Sequence, residues 1–285
     1  MKKNYLFLIT ALFILVSSSL FAQESEKEEK KSSFKFGVDY INSNVFMGRT
    51  DTIAAPIISP SATYTFAFGL FITAAADYIP NRTKNRLDDG NIGIGYNYEI
   101  TDNWAGSISL TKMFYASTST QIASSVSSEL NGNIQFTNDY LTPGIALDFA
   151  KGKTGKKNDF FINPSLSHDF IIAGLLGETD YLSISPMVSL NAGTQNFYDS
   201  YFGKVNKLKH PKNSTELAAF RKGLTKFRLL DYELSAPVEY SLKPFLISFN
   251  PTLAIPENKL PYTITKSQAN KSSLFYFDLG LSLKF

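Results

Sequence analysis

The sequence predicts an all-β fold, a transmembrane antiparallel up-and-down β-barrel of about 12 strands. Short segments of strict apolar and polar alternation recur from Phe34 to Phe285, a period of two that a strand produces and a helix does not. The polar positions in those segments are mostly Gly, Ser, Thr and Asn, side chains suited to enclosed water rather than to a soluble surface. The segments are joined by connections that alternate between short and long, the pattern of a membrane barrel.

At the amino end, Lys2 and Lys3 precede an apolar run from Tyr5 to Val16, followed by Ser17 to Ser19 and Leu20-Phe21-Ala22. That order predicts a secretory signal peptide over residues 1–22, cut after Ala22, although Leu20 is bulkier than usual for its place before a cut. The alternative is a retained anchor, but the run is shorter than the roughly 20 apolar residues that span a bilayer. With Cys 0, the chain has neither a lipid-bearing cysteine nor a disulfide framework, so pairing and packing must hold it. Residues 23–33 (QESEKEEKKSS) mix charges without apolar period and predict a short disordered leader. The barrel is expected over residues 34–285.

The first strand alternates Phe34, Phe36, Val38 and Tyr40 with Lys35, Gly37 and Asp39. A second runs near Ile58 to Phe68. After a turn at Gly69, Leu70, Ile72, Ala74, Ala76 and Tyr78 oppose Thr73, Ala75 and Asp77. Ile92 to Ile100 then alternates with Asn91, Gly93, Gly95, Asn97 and Glu99. A fifth strand carries Trp104, Ile108 and Leu110, and a weaker sixth carries Leu130, Ile134 and Phe136. Ile145, Leu147 and Phe149 oppose Asp148 in the seventh, and Phe160, Ile162 and Leu166 define the eighth. Leu182, Ile184, Val188 and Leu190 form the ninth. The last three are Leu230 to Tyr240, Phe245 to Ile255 and Leu274 to Phe285.

Short links fall near Ala67 to Gly69, Thr101 to Asn103, Thr137 to Asp139, Gly174 to Asp180 and Ser241 to Pro244. Long ones fall near Ser43 to Pro56, Ile79 to Asp89, Ala116 to Glu129, Lys151 to Asn158, Gly193 to Lys226 and Pro256 to Ser272, in strict alternation. Aromatics make up 14% of the chain, with Phe 24 and Tyr 15, yet the mean hydropathy is only -0.09. A barrel reconciles these, because one face of each strand meets lipid and the other a polar lumen. A secreted β-sandwich also alternates, but its outer face normally carries Lys and Glu. Prolines recur inside strands at Pro60, Pro143, Pro164, Pro186, Pro237 and Pro251. They read either as bulges that bend the wall or as a shared ancestry of hairpins without a role.

The closing segment FYFDLGLSLKF sets Phe275, Phe277, Leu279, Leu281, Leu283 and Phe285 on one face. Within it, Asp278-Leu279-Gly280-Leu281-Ser282-Leu283-Lys284-Phe285 resembles the polar-x-Gly-x-x-apolar-x-aromatic terminal strand of Gram-negative outer-membrane β-barrels. The resemblance implies an outer-membrane location, with the leader and short links in the periplasm. It also implies an assembly signal at Gly280, Leu283 and Phe285 read by the barrel insertion machinery, and lipid and lipopolysaccharide as surroundings. It extends to the barrel architecture of nearly the whole mature chain, but to no subfamily of characterised porins.

Lumen-lining positions are expected at Lys35, Asp39, Asp77, Asn97, Glu99, Asp148, Asn250, Asp278 and Lys284. The carboxylates lie on different strands and heights, which suits ion selectivity and does not suit a metal cluster. With His168 and His210 as its His 2, the chain offers little for acid-base or nucleophilic chemistry. Neighbours Ser167 and Asp169 point away from His168, and no enzyme or cofactor is expected. Nucleic acid is excluded as a partner, since a net charge of +3 comes with no basic recognition helix.

The longest loop carries Lys204, Lys207, Lys209, Lys212, Arg221 and Lys222. Ser214 or Asn213 can cap a short helix there, with Leu217, Phe220 and Leu224 at helical spacing. This cationic loop has three placements open to it: folded into the lumen as a constriction for anions, laid against lipopolysaccharide phosphates, or solvated. The functional expectation is passive passage of small hydrophilic solutes, because small inward side chains cannot fill a barrel wider than about eight strands. The alternative is a non-conducting surface binding protein that uses the barrel as its anchor.

Overall fold

A computed structural model describes residues 30–50, 55–119, 121–199, 214–257 and 272–285. The expected signal peptide and residues 23–29 of the expected leader lie outside them, and the last leader residue, Ser33, already belongs to the first strand. In chain order the elements are β1 (Ser33–Ile41), β2 (Val45–Phe46), β3 (Arg49–Thr50), β4 (Ile57–Thr65), β5 (Leu70–Tyr78), β6 (Leu87–Glu99), β7 (Trp104–Met113), β8 (Val126–Phe136) and β9 (Thr142–Gly152). There follow β10 (Asp159–Ser167), β11 (Phe170–Ala173), β12 (Tyr181–Ile184), β13 (Met187–Gly193), α1 (Ser214–Leu224), β14 (Arg228–Ser235), β15 (Val238–Leu242), β16 (Phe245–Pro256) and β17 (Leu274–Lys284).

All but the small β2–β3 hairpin join one antiparallel sheet that closes on itself. β10 and β11, β12 and β13, and β14 and β15 are each one interrupted crossing, so the barrel has 12 strands. Closure is made by the two terminal segments: β1 pairs β17 from Lys35 opposite Lys284 to Ile41 opposite Asp278. Phe34 and Phe285 exchange backbone hydrogen bonds of 3.0 and 2.9 Å at the seam. No sheet edge is left there, which meets the requirement that every spanning backbone group be paired inside the protein.

Directly opposed residues share a face, and the register stacks like with like. Phe34 faces Tyr64, Phe36 faces Ala62 and Tyr40 faces Ile58 on the outside, while Lys35 faces Thr63 and Gly37 faces Ser61 within. Across β5, β6 and β7, Ile72, Ile94 and Leu110 form one outward row, about half-exposed and so available to lipid. Rings gather at the short-turn end, where Trp104 packs on Phe136 at 5.0 Å and Tyr64 on Phe66 at 4.8 Å, as an interfacial girdle requires. Tyr98 lies flat over Gly106 and donates its hydroxyl to the Asn133 carbonyl at 2.7 Å.

The short turns are locally encoded. Thr101 Oγ1 accepts from the Asn103 and Trp104 amides at 3.3 and 3.2 Å, and Asn138 Oδ1 from the Tyr140 and Leu141 amides at 2.8 and 3.1 Å. Gly69 holds φ +101, and a side chain there would also strike the Asn97 carbonyl. Asp180 closes the turn after β11, accepting from the Leu176 and Gly177 amides at 2.7 and 3.2 Å and from the Tyr240 hydroxyl.

The prolines fall into two sets. Pro60, Pro143, Pro164 and Pro251 lie within strands, each opposite an apolar outward residue: Val38, Leu166, Ile145 and Phe277. Pro186 and Pro237 instead mark the interruptions, where Ser185 donates to the Pro237 carbonyl at 2.8 Å and His168 to that of Pro186 at 3.2 Å. Their missing donors stop the ladder at adjacent places on neighbouring strands.

Candidate functional site

Inward positions change character along the barrel. Near the short turns they are accessible: Lys35, Asn97, Glu99, Gln135 and Lys284 have inward register yet are exposed, so solvent reaches the lumen wall from this end. The lining between them is small, with Thr63 and Thr73 hydrogen-bonded at 2.9 Å beside Gly93. Phe71 is an exception, its ring laid over Gly95 in space that a β-carbon would occupy.

Toward the long loops the lining becomes acidic and buried. Asp39, Asp77, Asp89, Glu129, Asp148, Asp231, Glu233 and Asp278 all take inward register. Most have neutral donors. Ser59 Oγ donates to Asp77 at 2.7 Å, and Gln121 Nε2 bridges Asp77 and Asp89 at 3.2 and 2.5 Å. Asn131 and Asn163 donate to the two oxygens of Asp148 at 2.5 and 2.6 Å, and the Tyr276 hydroxyl to Glu233 at 2.9 Å. Asp231 is 0% exposed, and the groups acting on its carboxyl are Asn191 and Glu233 on the wall and Arg49 from the loops.

A plug of inward-folded loops covers this acidic zone. Between β1 and β4 the chain turns in the β2–β3 hairpin, with Met47 at φ 49 and Gly48 at φ 68, the two left-handed residues of a type I′ turn. A β-carbon on Gly48 would lie 2.8 Å from that of Asp231, so the hairpin tip has crossed the lumen to the β14 wall. Phe46 enters an apolar cluster with Phe161 of β10 and Phe197, at ring distances of 5.7 and 4.9 Å and edge-on geometry. Ile122, Val126, Ala150, Leu224 and Leu230 complete it, all buried. Gly193 makes room, because the Phe161 ring stands where its β-carbon would be.

Polar contacts fix the same loops. Asp159, at the start of β10, accepts from Thr194 Oγ1 and the Asn196 and Phe197 amides at 2.6, 2.6 and 2.8 Å, which holds the 194–197 turn inward. Asn44 donates to Gln121 at 3.3 Å, joining the first and third long loops. Arg49 is 3% exposed; its Nη2 and Nε donate to Gln195 Oε1 at 2.9 and 3.3 Å, and its guanidinium stands 5.7 Å from the Tyr198 ring centre. Burial pulls this guanidinium below its ordinary pKa, while Tyr198 and Asp231 act electrostatically in the opposite sense. Arginine nonetheless keeps its proton in proteins, so the plug brings a permanent positive charge into an acidic chamber.

The structure places the sequence-predicted residues at several levels. Lys35, Lys284, Asn97 and Glu99 line the accessible end; Asp39, Asp77, Asp148, Asn250 and Asp278 lie farther in. Gly280 sits beneath the Asp39 and Ser248 side chains, and Leu283 and Phe285 lie at the closing seam. Of the cationic loop, Lys204, Lys207, Lys209 and Lys212 lie outside the described residues, as do His210, Asn213 and the side chains of Ser214, Leu217 and Phe220. Arg221 and Lys222 are exposed in the last turn of α1, and Arg221 pairs with Asp199 at 2.8 Å. Sequence reasoning missed Arg49, Gln121, Phe161 and Asp231. Only Asp231 had a readable signal, an acidic residue in the alternation of Asp231-Tyr232-Glu233-Leu234. Among the described residues, no His, Asp and Glu group converges closely enough to hold a metal ion.

No family model and no curated protein sequence matches the chain. Solved structures with a similar course include a KdgM porin, at 9% identity and TM-score 0.45, covering 89% of this chain and 99% of that one. A NanC porin matches at 10% identity and TM-score 0.42, covering 89% and 100%, and LpxR from Salmonella typhimurium at 9% and 0.44, covering 88% and 99%. Likeness at that level leaves the assignment to the strand register itself. By that register, the chain is a closed, 12-stranded antiparallel β-barrel.

Proposed function

We propose that the protein is a passage for small hydrophilic solutes across the outer membrane, with its lumen open to the periplasm and narrowed at the outer mouth by its own loops. The observation that carries this reading is the gradient of burial along the inward face. Lys35, Glu99 and Lys284 are exposed inside the barrel, whereas Asp89, Asp148 and Asp231 are buried beneath the plug. A polar, accessible lumen ending at a loop constriction is the arrangement of a selective pore. Export through a signal peptide over residues 1–22, contact with lipopolysaccharide at the long loops and insertion through the terminal strand belong to the same proposal.

A second reading, a non-conducting surface protein anchored by its barrel, is favoured by the apolar cluster in which Phe161, Phe197 and Ile122 are buried and Phe46 packs against them. Single-channel recording in planar bilayers separates the two. The full chain, a variant lacking residues 193–226 and one with Gly-Ser in place of residues 43–50 are compared. Steps of conductance in the full chain, enlarged in the loop variants, support passage; silence in all three overturns it in favour of the anchor. Removing Phe285 is expected to impair insertion, and normal assembly without it would remove the assembly role of the closing strand.

A further inference from the structure

The short-turn end of the barrel carries a sheet edge that no strand covers. The last rung of β9 with β10 joins Thr142 to Ser167, and beyond it the chain continues as β11, which pairs with β12 alone and ends the sheet order. Gly174 donates to the Asp180 carbonyl at 3.0 Å, and Ser185 to that of Pro237 at 2.8 Å. Bonded and non-bonded pairs alternate in an antiparallel ladder, so Phe170 and Ile172 bond to β12, while Ile171 and Ala173 turn their N–H and C=O groups to the open side. Those groups meet no strand among the described residues. Hydrocarbon does not tolerate unpaired backbone groups, which puts this edge in water or against a protein.

The side chains of this edge are apolar on both faces. Phe170 and Ile172 take the outward register, Ile172 in one row with Leu182, Tyr240 and Ile247; Ile171 takes the inward register with Ser183 and Glu239 and is still 67% exposed. Leu175 and Leu176 follow in the turn, Leu176 at 80%. The run from Phe170 to Leu176 (FIIAGLL) lacks alternation, the pattern of a strand covered on both faces and not of a lumen wall. Exposed edges are normally blunted by Lys, Pro or a bulge, and β11 has none of these, only a short length of 4 residues.

Charge selects what can cover the edge. The chain has no Lys or Arg from Asn158 to Gly203, and exposed carboxylates stand at both ends of β11, Asp169 before it and Glu178 in the turn after it. A third, Asp139, is exposed in the connection that leads to Thr142. His168 packs edge-on against Phe170 at 4.6 Å. The first lysine met along the ladder is Lys243, in the turn after β15, across β12 from the open side. Two copies paired antiparallel through β11 would bring Asp169 of each toward Glu178 of the other, and like charges so placed repel.

We propose that the open edge of β11 docks an extended segment of a periplasmic protein, apolar at its centre and bearing Lys or Arg at both ends, which joins the sheet as an added strand. The backbone of that segment satisfies Ile171 and Ala173, its apolar side chains cover Phe170, Ile171 and Ile172, and its end cations meet Asp169 and Glu178. The periplasmic placement rests on the reading that the short turns face that compartment, and the docking is independent of whether the lumen conducts.

Amide exchange of the full chain in detergent micelles tests this, with the peptide acetyl-KVTVTVK-amide as probe beside acetyl-EVTVTVE-amide and the strand-breaking acetyl-KVTPTVK-amide. The Ile171 and Ala173 amides are expected to exchange fast alone and several-fold more slowly with the first peptide, weakly affected by the other two, while Phe170 and Ile172 change little. Ala173→Pro removes a donor that β12 does not use, so the barrel is expected to assemble by circular dichroism and Ile171 to lose its protection by the peptide. Asp169→Lys with Glu178→Lys, both at exposed positions, keeps the test open if the proline variant does not assemble, and is expected to reverse the preference toward the glutamate peptide. Slow exchange of Ile171 and Ala173 without peptide overturns the proposal: relieved by dilution, it means that a second copy holds the edge, and unchanged by dilution, that the chain or its detergent does. Equal protection by the lysine and glutamate peptides overturns the charge match, and protection by none overturns the docking site. Silence in conductance leaves this proposal standing and sinks only the passage.

Discussion

Replacing Phe161 by Ala tests whether the plug is held by packing that the barrel wall does not need. Phe161 is 0% exposed and packs its ring against those of Phe46 and Phe197. Truncating a wholly buried Phe costs about 3–5 kcal/mol, including the cavity left behind. The backbone of β10 stays paired to β9 and β13 whatever its side chain, so the loss falls on the loops that lean on the ring. At roughly 1.4 kcal/mol per tenfold, loop opening becomes more frequent by about two to four powers of ten. Hydrogen exchange in detergent micelles reads this directly. The Gln195 amide, bonded to the Leu224 carbonyl at 2.8 Å, and the Val126 amide, bonded to Ala123 at 2.8 Å, report on the plug, while the β6 and β7 amides report on the wall. The expected result is a large loss of protection at 126 and 195 with the β6 and β7 amides unchanged. Equal loss in both places would refute the separation of plug from wall, and no loss in either would refute the role of the ring.

Ile94→Arg, in the outward row between Ile72 and Leu110, is expected to destabilise the lipid-embedded barrel by roughly 2–4 kcal/mol, read by denaturant titration in vesicles, with a smaller effect in detergent. Gly106→Ala places a β-carbon against the Asn133 carbonyl and the Tyr98 ring, with an expected loss of about 1–3 kcal/mol by overpacking in the same assay. Gly280→Ala meets only the tips of Asp39 and Ser248, which can rotate, so stability should change by less, and defective insertion in that variant would then report recognition rather than packing. The Asp180 carboxyl is held below its ordinary range, first by the Tyr240 hydroxyl and then by turn amides. A depressed folded value means its contribution is complete above the unfolded value of about 3.9 and disappears as pH falls through the folded one, so exchange at Leu176 and Gly177 should rise only below that range, and Asp180→Asn should remove the pH dependence.

The wall was legible because a strand writes its two faces into alternate residues. Phe34 to Tyr40 and Leu274 to Phe285 carry the same alternation, and their register at the seam matches those faces. Even the weak sixth strand, where Asn131, Gly132 and Asn133 dilute the apolar row, is drawn in by its neighbours β7 and β9 and extends back to Val126. The plug was not legible, because nothing periodic marks a loop that folds inward. Phe46, Ile122 and Phe197 are apolar residues without period in long connections, and their meeting with Phe161 depends on the width of a barrel that no local pattern encodes. Phe161 takes the inward parity opposite to Phe160, Ile162 and Leu166, but nothing in that parity marks its ring as the seat of a plug.

The acidic lining and the plug explain each other. A ring of carboxylates in an open, water-filled lumen stays ionised at little cost, and its only effect is on passing ions. Once loops exclude water, the same groups need donors, and the loops bring them: Gln121 to Asp77 and Asp89, and Arg49 as the charge near Asp231. The plug is therefore matched to the wall by polar chemistry as well as by the apolar contacts of Phe46. Removing Arg49 leaves Asp231 buried without its countercharge, and the hairpin is then expected to leave the lumen although every ring of the cluster remains. Phe161→Ala loosens the plug by taking away packing, and Arg49→Gln by taking away charge. High salt screens the Arg49–Asp231 attraction that Phe161→Ala retains and so favours release there, whereas Arg49→Gln has no such attraction left to screen. A salt dependence of hairpin exchange in the first variant that the second lacks would separate the contributions, and identical ones would mean that charge has no part in holding the plug.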